Sequence, residues 1–553
     1  MNNLKSLSTK TVLILLFIIF VAGAFLRFNN LSAIPAGFQM DEASKGYSAY
    51  SLLKTARDDN NIFFPFNIDI FGDNSPAGYH YSAIIPVAIF GLSEFAVRFP
   101  GAIFGSLTIF AFYFLTYSIF KEKKLGLLSA LLLATSPWHI NMSRASSESL
   151  VALFFIVLGF ALIFWSLKTQ KVVHVFFATI ALSLSFFFYQ TPRLFVPVLF
   201  FVLLIFILKT WKLKIDKDYK NSLIISFIFL ISLVFTLFFI IPGGNRRFTQ
   251  VNIFSAAETK LVLDEQIKNE GVVGTSPIIS RVYDNKIVGF TQTYVSNYLN
   301  HFSFDYLFVK GLPPWYQIPS IGVFYLVSLP FFLLGLVLLL TNKNNLYKIP
   351  IIWLAIGPTA AAISTEANNL QRSLVMYPMF EIFTAFGLIY LFSKIKNSKI
   401  WLAVIVLFAL NFIYFYHQYY TLSRVFQPWY RNNGFKEMIQ AISKDYEKAD
   451  KIVTTKSGGG YPLFQFYIKY DPVKYQSEGS PKDKNYKGFG KFFFTPDNCP
   501  FISKDPLIPR NGKLIFVEDG SCKETKALEG KIFKYILRVD GTKAFRIVYL
   551  DSF

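Results

Sequence analysis

Asp41 and Glu42 stand side by side in a polar segment that follows the first apolar stretch, residues 11–28. That stretch is long enough to cross a bilayer, and acidic residues close to a membrane are costly unless they serve a function. A carboxylate can accept the proton of a hydroxyl group, so Asp41 is a candidate general base. Adjacent carboxyl groups perturb each other's titration, so Glu42 can tune Asp41 or position an acceptor. The spacing alone fits a helix cap equally well.

Arginine is the second residue type whose positions indicate chemistry. The guanidinium group keeps its charge and presents a planar fork that matches phosphate. Arginines lie at the ends of apolar stretches, on what charge patterning predicts to be one face of the membrane: Arg98, Arg144, Arg193, Arg247 and Arg372. Any single arginine there more commonly reaches lipid headgroups. Taken together with the acidic pair, the group predicts a phosphate site beside a base.

The composition is that of a membrane protein with many spans. The 553 residues are 53% hydrophobic and 16% charged, with 64 phenylalanines, whereas soluble domains are about 25% charged. The formal charge of +21 does not indicate nucleic-acid binding, because the cytosolic share lies in short lysine-rich loops between apolar stretches. Such loops are typical of the cytosolic side of a membrane protein.

Apolar stretches predict eleven spans, at residues 11–28, 95–120, 125–140, 150–167, 172–190, 194–208, 222–241, 318–340, 349–363, 374–392 and 400–416. Starting from a cytosolic N-terminus, every predicted cytosolic loop carries at least two lysines, and the short outward loops carry arginine without lysine. This alternation predicts a multi-pass protein of the cytoplasmic membrane, with the C-terminus outside.

Residues 79–92 are apolar but number only fourteen, and counting them as a span would invert every later loop. We therefore expect a helix in the outer interface there. Two long outer loops follow from this topology, residues 29–94 and 242–317. The fold class is an all-α polytopic membrane domain, residues 1–416, followed by a small extracytoplasmic α/β domain, residues 417–553. A helix at 435–449 and strands at 452–455, 514–518 and 545–549 are expected in the second domain.

The two cysteines, Cys499 and Cys522, both fall in the predicted outer domain. A disulfide is slightly favoured because that side is not cytosolic. Two free thiols are the alternative.

Several motifs resemble those of one family of membrane enzymes. These are Met40-Asp-Glu-Ala, the block Glu94-Phe-Ala-Val-Arg-Phe-Pro, the block Ser136-Pro-Trp-His, and Gln371-Arg-Ser-Leu. In this order they resemble the protein O-mannosyltransferase and aminoarabinose lipid A transferase superfamily, best over residues 30–200 and in patches to about 420. The resemblance implies the GT-C fold and transfer of a sugar from a polyprenyl-phosphate carrier to an acceptor on the outer face.

The resemblance also implies residue roles. The catalytic Asp-Glu of the family maps to Asp41 and Glu42. From their own chemistry, Arg144, Arg193 and Arg372 are the first candidates for the donor phosphate, followed by Arg98 and Arg247. Glu148 either binds sugar or pairs with Arg144, and the remaining candidates for sugar or acceptor binding are His139, Tyr79 and His80. His139 beside Trp138 otherwise fits an interfacial aromatic belt. No metal ligands are predicted. A divalent metal stays open as a cofactor, but the spacing of the His, Asp and Glu residues does not support a site for one.

The expected activity is therefore an inverting glycosyltransferase with Asp41 as general base. The partners would be a lipid-linked sugar donor and a protein, lipid or glycan acceptor, with no nucleic acid. The tail lacks a recognisable β-trefoil repeat, and the Lys-, Asn-, Ile- and Phe-rich composition is typical of a prokaryote. A transporter or flippase of a lipid-linked sugar is the alternative, but it predicts charged or broken helices near the middle of the membrane.

Overall fold

The computed structural model describes residues 7–70, 73–210, 215–255, 257–311, 318–366, 368–456, 460–481 and 486–550. Within these residues, six helices are long and apolar enough to cross a membrane: Thr9–Phe28, Glu94–Phe120, Glu148–Thr169, Lys217–Ile240, Leu370–Lys394 and Ser398–Arg424. Shorter apolar helices cover Val172–Phe188, Thr191–Ile207 and Leu326–Thr341. A helix occupies part of each of the eleven predicted stretches, whereas length and composition support six spans.

Two predicted spans differ from the helices that form. Residues 125–140 are divided between helices Lys123–Thr135 and Pro137–Arg144, because Ser136 is extended and Pro137 starts a new helix. Residues 318–340 become helical only from Leu326. Ser320 has a positive φ of 58°, which interrupts a helix, yet Val323 and Phe324 in this non-helical part are buried.

The segment predicted as the first outer loop holds helix α2, Met40–Thr55, a hairpin of strands Asn67–Ile70 and Asp73–Pro76, and helix α3, Gly78–Phe90. The α3 helix covers the segment expected to be helical at 79–92. The segment predicted as the second outer loop is also helical, which the sequence did not predict. Its α-helices are Arg246–Val251, Ala257–Val272, Pro277–Tyr283 and Lys286–Asn300.

The C-terminal region is built around a five-stranded sheet, as an α/β domain requires. Its strands are Lys451–Thr455, Phe492–Thr495, Leu514–Asp519, Ile532–Leu537 and Lys543–Leu550. The first three are parallel to one another, and the last two are antiparallel additions at one edge. Helices Phe435–Ser443, Tyr461–Ile468 and Pro472–Ser477 accompany the sheet. The predicted helix at 435–449 therefore ends at Ser443.

The C-terminal region packs directly against α2. The rings of Phe38 and Phe466 lie 4.7 Å apart, and the Tyr47 hydroxyl donates to the Tyr470 carbonyl at 3.1 Å. The side chain of Gln476 donates to the hydroxyls of Ser51 and Thr55, each at 3.0 Å. One hydrophobic cluster thus contains residues of both regions.

Cys499 and Cys522 form a disulfide, so the favoured pairing is confirmed. It closes a loop whose ends are 23 residues apart, next to a buried ion pair between Glu518 and Arg546 at 2.6 Å.

Candidate functional site

A cavity of about 480 Å³ lies where α2 meets the ends of several membrane helices. Six predicted site residues line it: Asp41, Glu42, Glu148, Arg193, Arg247 and Arg372. Part of the wall is apolar, formed by Leu194, Val234, Phe238, Phe248 and Val251. Phe238 lies in a π-helical turn, Thr236–Ile240, at the end of a membrane helix, and such turns are frequent at functional sites. The cavity therefore combines acids, arginines and an apolar wall.

Asp41 is the exposed member of the acidic pair. It is the second residue of α2, where the helix dipole favours a negative charge. Within the part of the chain that the structure describes, its carboxylate accepts no hydrogen bond. A carboxylate in this position can accept a proton from a hydroxyl group brought into the cavity.

Glu42 is buried and held from three sides. Arg98 donates to it at 3.0 and 3.2 Å, Arg431 at 2.5 Å, and the backbone N–H of Gln39 at 3.3 Å. Burial by itself raises the pKa of Glu42, but the charges of Arg98 and Arg431 outweigh it and lower that pKa to about 2. Glu42 is therefore ionised, and its carboxylate forms ion pairs with Arg98 and Arg431.

Of the three arginines in the cavity wall, Arg193 and Arg372 each keep one guanidinium nitrogen without a hydrogen-bond partner among the described residues. Arg193 donates through Nε to the Phe186 carbonyl at 3.1 Å, and Arg372 contacts Glu366 at 3.4 Å. The Nη1 atoms of Arg193 and Arg372 are buried, and neither has a hydrogen-bond partner among the described residues. Buried donors of this kind are rare unless a ligand or water binds them.

Arg247 connects this group electrostatically to the acids. Burial and the charge of Arg372 lower the pKa of Arg247, while Glu366 and Asp41 raise it. The four charges are thus close enough to influence one another. Two neighbouring guanidinium groups repel each other, and an anion bound between them relieves that repulsion.

Lys45 is a cavity residue that sequence reasoning missed. It lies one helical turn after Asp41, and its Nζ atom is 2.7 Å from Glu148 Oε1 and 2.7 Å from the Ser146 carbonyl. The i, i+4 spacing from Asp41 was the available signal, because it puts both side chains on one face of a helix. Glu148 accordingly pairs with Lys45 and not with Arg144.

Arg98 and Arg144 lie outside the residues that line the cavity, and the Nη atoms of both guanidinium groups donate to backbone carbonyls. Beyond Glu42, Arg98 donates to the carbonyls of Leu31, Ser32 and Gly37. Arg144 donates to five carbonyls and lies 4.9 Å from the Tyr420 ring; those carbonyls belong to Leu26, Arg27, Asn29, Asn30 and Ile34. These contacts hold the chain after the first helix, and neither arginine is part of the cavity lining.

The three remaining candidates are also buried away from the cavity wall. His139 contacts the Arg27 guanidinium at 2.6 Å, and the Tyr79 hydroxyl donates to the Val97 carbonyl at 2.9 Å. His80 is fully buried behind Lys45, and burial followed by the Lys45 charge lowers its pKa to about 3. The geometry therefore favours structural positions for these three side chains.

Arg431 is a second residue that the sequence did not single out. It lies in the C-terminal region, 389 residues from Glu42, and it contacts that carboxylate directly. No pattern in the local sequence predicts a contact between residues so far apart along the chain. Among the described residues, no group of three or more His, Cys, Asp or Glu side chains is arranged to hold a metal ion.

Comparison with known proteins agrees with this architecture. Residues 74–239 match the family model described as dolichyl-phosphate-mannose-protein mannosyltransferase. The structure of ArnT from Cupriavidus metallidurans bound to undecaprenyl phosphate superimposes with a TM-score of 0.53 at 11% identity, covering 98% of each chain. A search of curated protein sequences finds no match.

The archaeal oligosaccharyltransferase AglB from Archaeoglobus fulgidus, in complex with an inhibitory peptide and a dolichol-phosphate, superimposes with a TM-score of 0.51 at 13% identity. The match covers 83% of this chain, which spans 63% of the length of AglB. At such identities the likeness shows the fold. The family match and this fold confirm the resemblance that the sequence motifs indicated.

Proposed function

We propose that this chain, a member of the GT-C glycosyltransferase superfamily, transfers a sugar from a polyprenyl-phosphate donor to an acceptor hydroxyl on the outer face of the cytoplasmic membrane. The observation that carries the proposal is the meeting of exposed Asp41 with Arg193, Arg247 and Arg372 in one cavity that has an apolar wall. The acceptor is a protein, lipid or glycan.

The donor would bind in two parts. Its phosphate is placed between Arg372, Arg247 and Arg193, beside the Nη1 atoms of Arg193 and Arg372 that have no partner among the described residues. The polyprenyl chain leaves along the apolar wall formed by Leu194, Val234 and Phe238 and its neighbours, towards the lipid. The sugar then lies on the side of Asp41, within the polar half of the cavity.

The reaction is a single displacement at the anomeric carbon. The acceptor oxygen forms a bond to that carbon, and its proton passes to the Asp41 carboxylate. The bond between the anomeric carbon and the phosphate oxygen breaks, and both bonding electrons leave with polyprenyl phosphate. The arginines stabilise the additional negative charge on that phosphate. A single displacement inverts the anomeric configuration.

In this proposal Asp41 is the general base, whereas Glu42 positions it. Because Arg98 and Arg431 hold it, Glu42 fixes the first turn of α2 and so positions Asp41. Arg98 acts with it as a structural partner. The transporter or flippase is not favoured by the fold comparisons, which match enzymes.

The test uses purified protein in nanodiscs, a panel of radiolabelled polyprenyl-phosphate sugars, and envelope extracts as acceptors. Asp41→Asn should lower transfer by about 10²–10⁴-fold, because the general base is lost. Donor binding should persist, since Asp41 does not contact the phosphate in this scheme.

Asp305→Asn is the matched control, because Asp305 is an exposed carboxylate that pairs only loosely with Lys310, at 3.5 Å, outside the cavity. It should transfer as the wild type does. Near-normal transfer by Asp41→Asn would exclude Asp41 as the base.

A further inference from the structure

The Lys45–Glu148 pair forms part of the polar lining of the cavity. Both side chains are nearly buried, with exposures of 6% and 9%. The ammonium group has three donors, of which one serves Glu148 and one the Ser146 carbonyl, and it lies 5.4 Å from the centre of the Tyr79 ring. One donor of Lys45 and the lone pairs of Glu148 that Lys45 does not use thus stay available to a ligand.

The charges around this pair are balanced. Three carboxylates line the cavity, and two of them contact cations: Glu42 contacts Arg98 and Arg431, and Glu148 contacts Lys45. Asp41 is the third, which the proposed reaction uses as base. His80, which packs behind Lys45, adds no charge at neutral pH because burial keeps its imidazole neutral. The excess positive charge lies with the arginines on the phosphate side.

We infer that the Lys45–Glu148 pair binds the hydroxyl groups of an uncharged donor sugar and excludes a cationic aminosugar. This inference rests on the proposed function and names the substrate class of the same site. Glu148 accepts a hydrogen bond from one hydroxyl, and Lys45 donates to the oxygen of another. A cationic amino group would instead meet the Lys45 ammonium, and attraction to Glu148 would require displacing Lys45 from a 2.7 Å contact.

The experiment measures donor binding, so that it does not depend on transfer. Wild-type protein in nanodiscs is titrated with three lipids: a polyprenyl-phosphate hexose, its amino-deoxy counterpart, and polyprenyl phosphate without sugar. The wild type should bind the hexose form at least tenfold more tightly than the amino-deoxy form. The hexose form should also bind more tightly than the bare lipid.

Lys45→Met should reverse this preference, because it leaves the Glu148 carboxylate without its cation. The double variant Lys45→Met/Glu148→Gln removes both charges and should bring the preference close to one. Glu148→Gln alone keeps the ammonium and should reject the amino-deoxy form at least as strongly as the wild type does. Thermal unfolding shows whether Lys45→Met folds. If it does not, Glu148→Gln still tests the inference.

Lys436→Met is the matched control. Lys436 forms a 2.7 Å ion pair with Glu94 outside the cavity lining, and its loss should leave the tenfold preference unchanged.

A wild type that binds both sugars equally, or prefers the amino-deoxy form, would overturn the inference, as would an unchanged preference in Lys45→Met. Binding that favours the hexose without transfer to any acceptor would uphold the sugar class and count against the proposed transfer. Sugar transfer without any preference between the hexose and amino-deoxy donors would uphold the proposed transfer and count against the sugar class.

Discussion

At the scale of single residues, the arginines show how the same side chain takes two roles. Arg98 and Arg144 donate through their Nη atoms to backbone carbonyls, and Arg98 also pairs with Glu42. Arg193 and Arg372 retain buried Nη1 donors at the cavity. All five have similar positions in sequence, at the ends of apolar stretches, so only their partners separate the proposed phosphate site from the scaffold.

The acidic pair leads to a prediction about pH. The pKa of Glu42 falls from its ordinary value of 4.5 to about 2 in the folded protein, because Arg98 and Arg431 outweigh burial. A depressed pKa stabilises the fold fully above pH 4.5, and that stabilisation is lost as the pH falls from about 4.5 to 2. Thermal unfolding in detergent should therefore show that the protein loses stability as the pH falls from about 4.5 to 2, and protonation of Glu42 should account for part of this loss.

Glu42→Gln should be less stable than the wild type at neutral pH, by about 3–5 kcal/mol, because two buried arginines lose their counter-charge. Its stability should change less between pH 4.5 and 2 than that of the wild type. The same slope in both proteins would show that Glu42 is not ionised in the fold.

At the scale of elements, α2 carries the site on one face and the contact with the C-terminal region on another. Asp41 and Lys45 face the cavity, whereas Gly46 lies where α2 approaches both the membrane domain and the C-terminal region. A Cβ at Gly46 would lie 2.5 Å from Val97 Cγ2 and 2.7 Å from Phe466 Cε2. Glycine is therefore required here by close packing, despite its cost within a helix.

Gly46→Ala should destabilise the protein by about 1–3 kcal/mol through overpacking, even though alanine favours helix. It should also lower transfer, since α2 must shift and Asp41 with it. Thermal unfolding and the transfer assay measure the two effects.

Gly271→Ala is the control, because nothing lies within 4 Å of a Cβ built at this helical glycine. It should be neutral or slightly stabilising. If both variants behave alike, α2 is not clamped between the two regions.

At the scale of the whole molecule, the orientation in the membrane decides whether the cavity faces the outer side. The lysine-rich loops predict that Lys171 is cytosolic and that the C-terminal region, with exposed Ile532, is outside. Both native cysteines are held in the disulfide, so an introduced cysteine can be labelled selectively under non-reducing conditions. A membrane-impermeant maleimide should label Ile532→Cys in intact cells and Lys171→Cys only after permeabilisation. The opposite pattern would place the site on the cytosolic side.

The sequence by itself determined the features that depend on composition and on local order. Apolar stretches identified a membrane protein, and motif order indicated a resemblance to one superfamily, because both are read along the chain. The short apolar length of residues 79–92, together with the charges of the later loops, predicted helix α3. Local sequence patterns predicted the helix that starts at Phe435 and three of the five C-terminal strands. The sequence did not predict strands Phe492–Thr495 and Ile532–Leu537 or the helices of residues 246–300.

Only the tertiary structure decided which candidates meet. Six predicted residues share the cavity, while Arg98, Arg144, His139, Tyr79 and His80 do not line it. The physical reason is that a charged side chain's role depends on its partners, and partners such as Arg431 for Glu42 are 389 residues apart in sequence. Lys45 shows the same principle. Its partner Glu148 lies 103 positions later in the chain, so the neighbours of Lys45 in sequence do not reveal this ion pair.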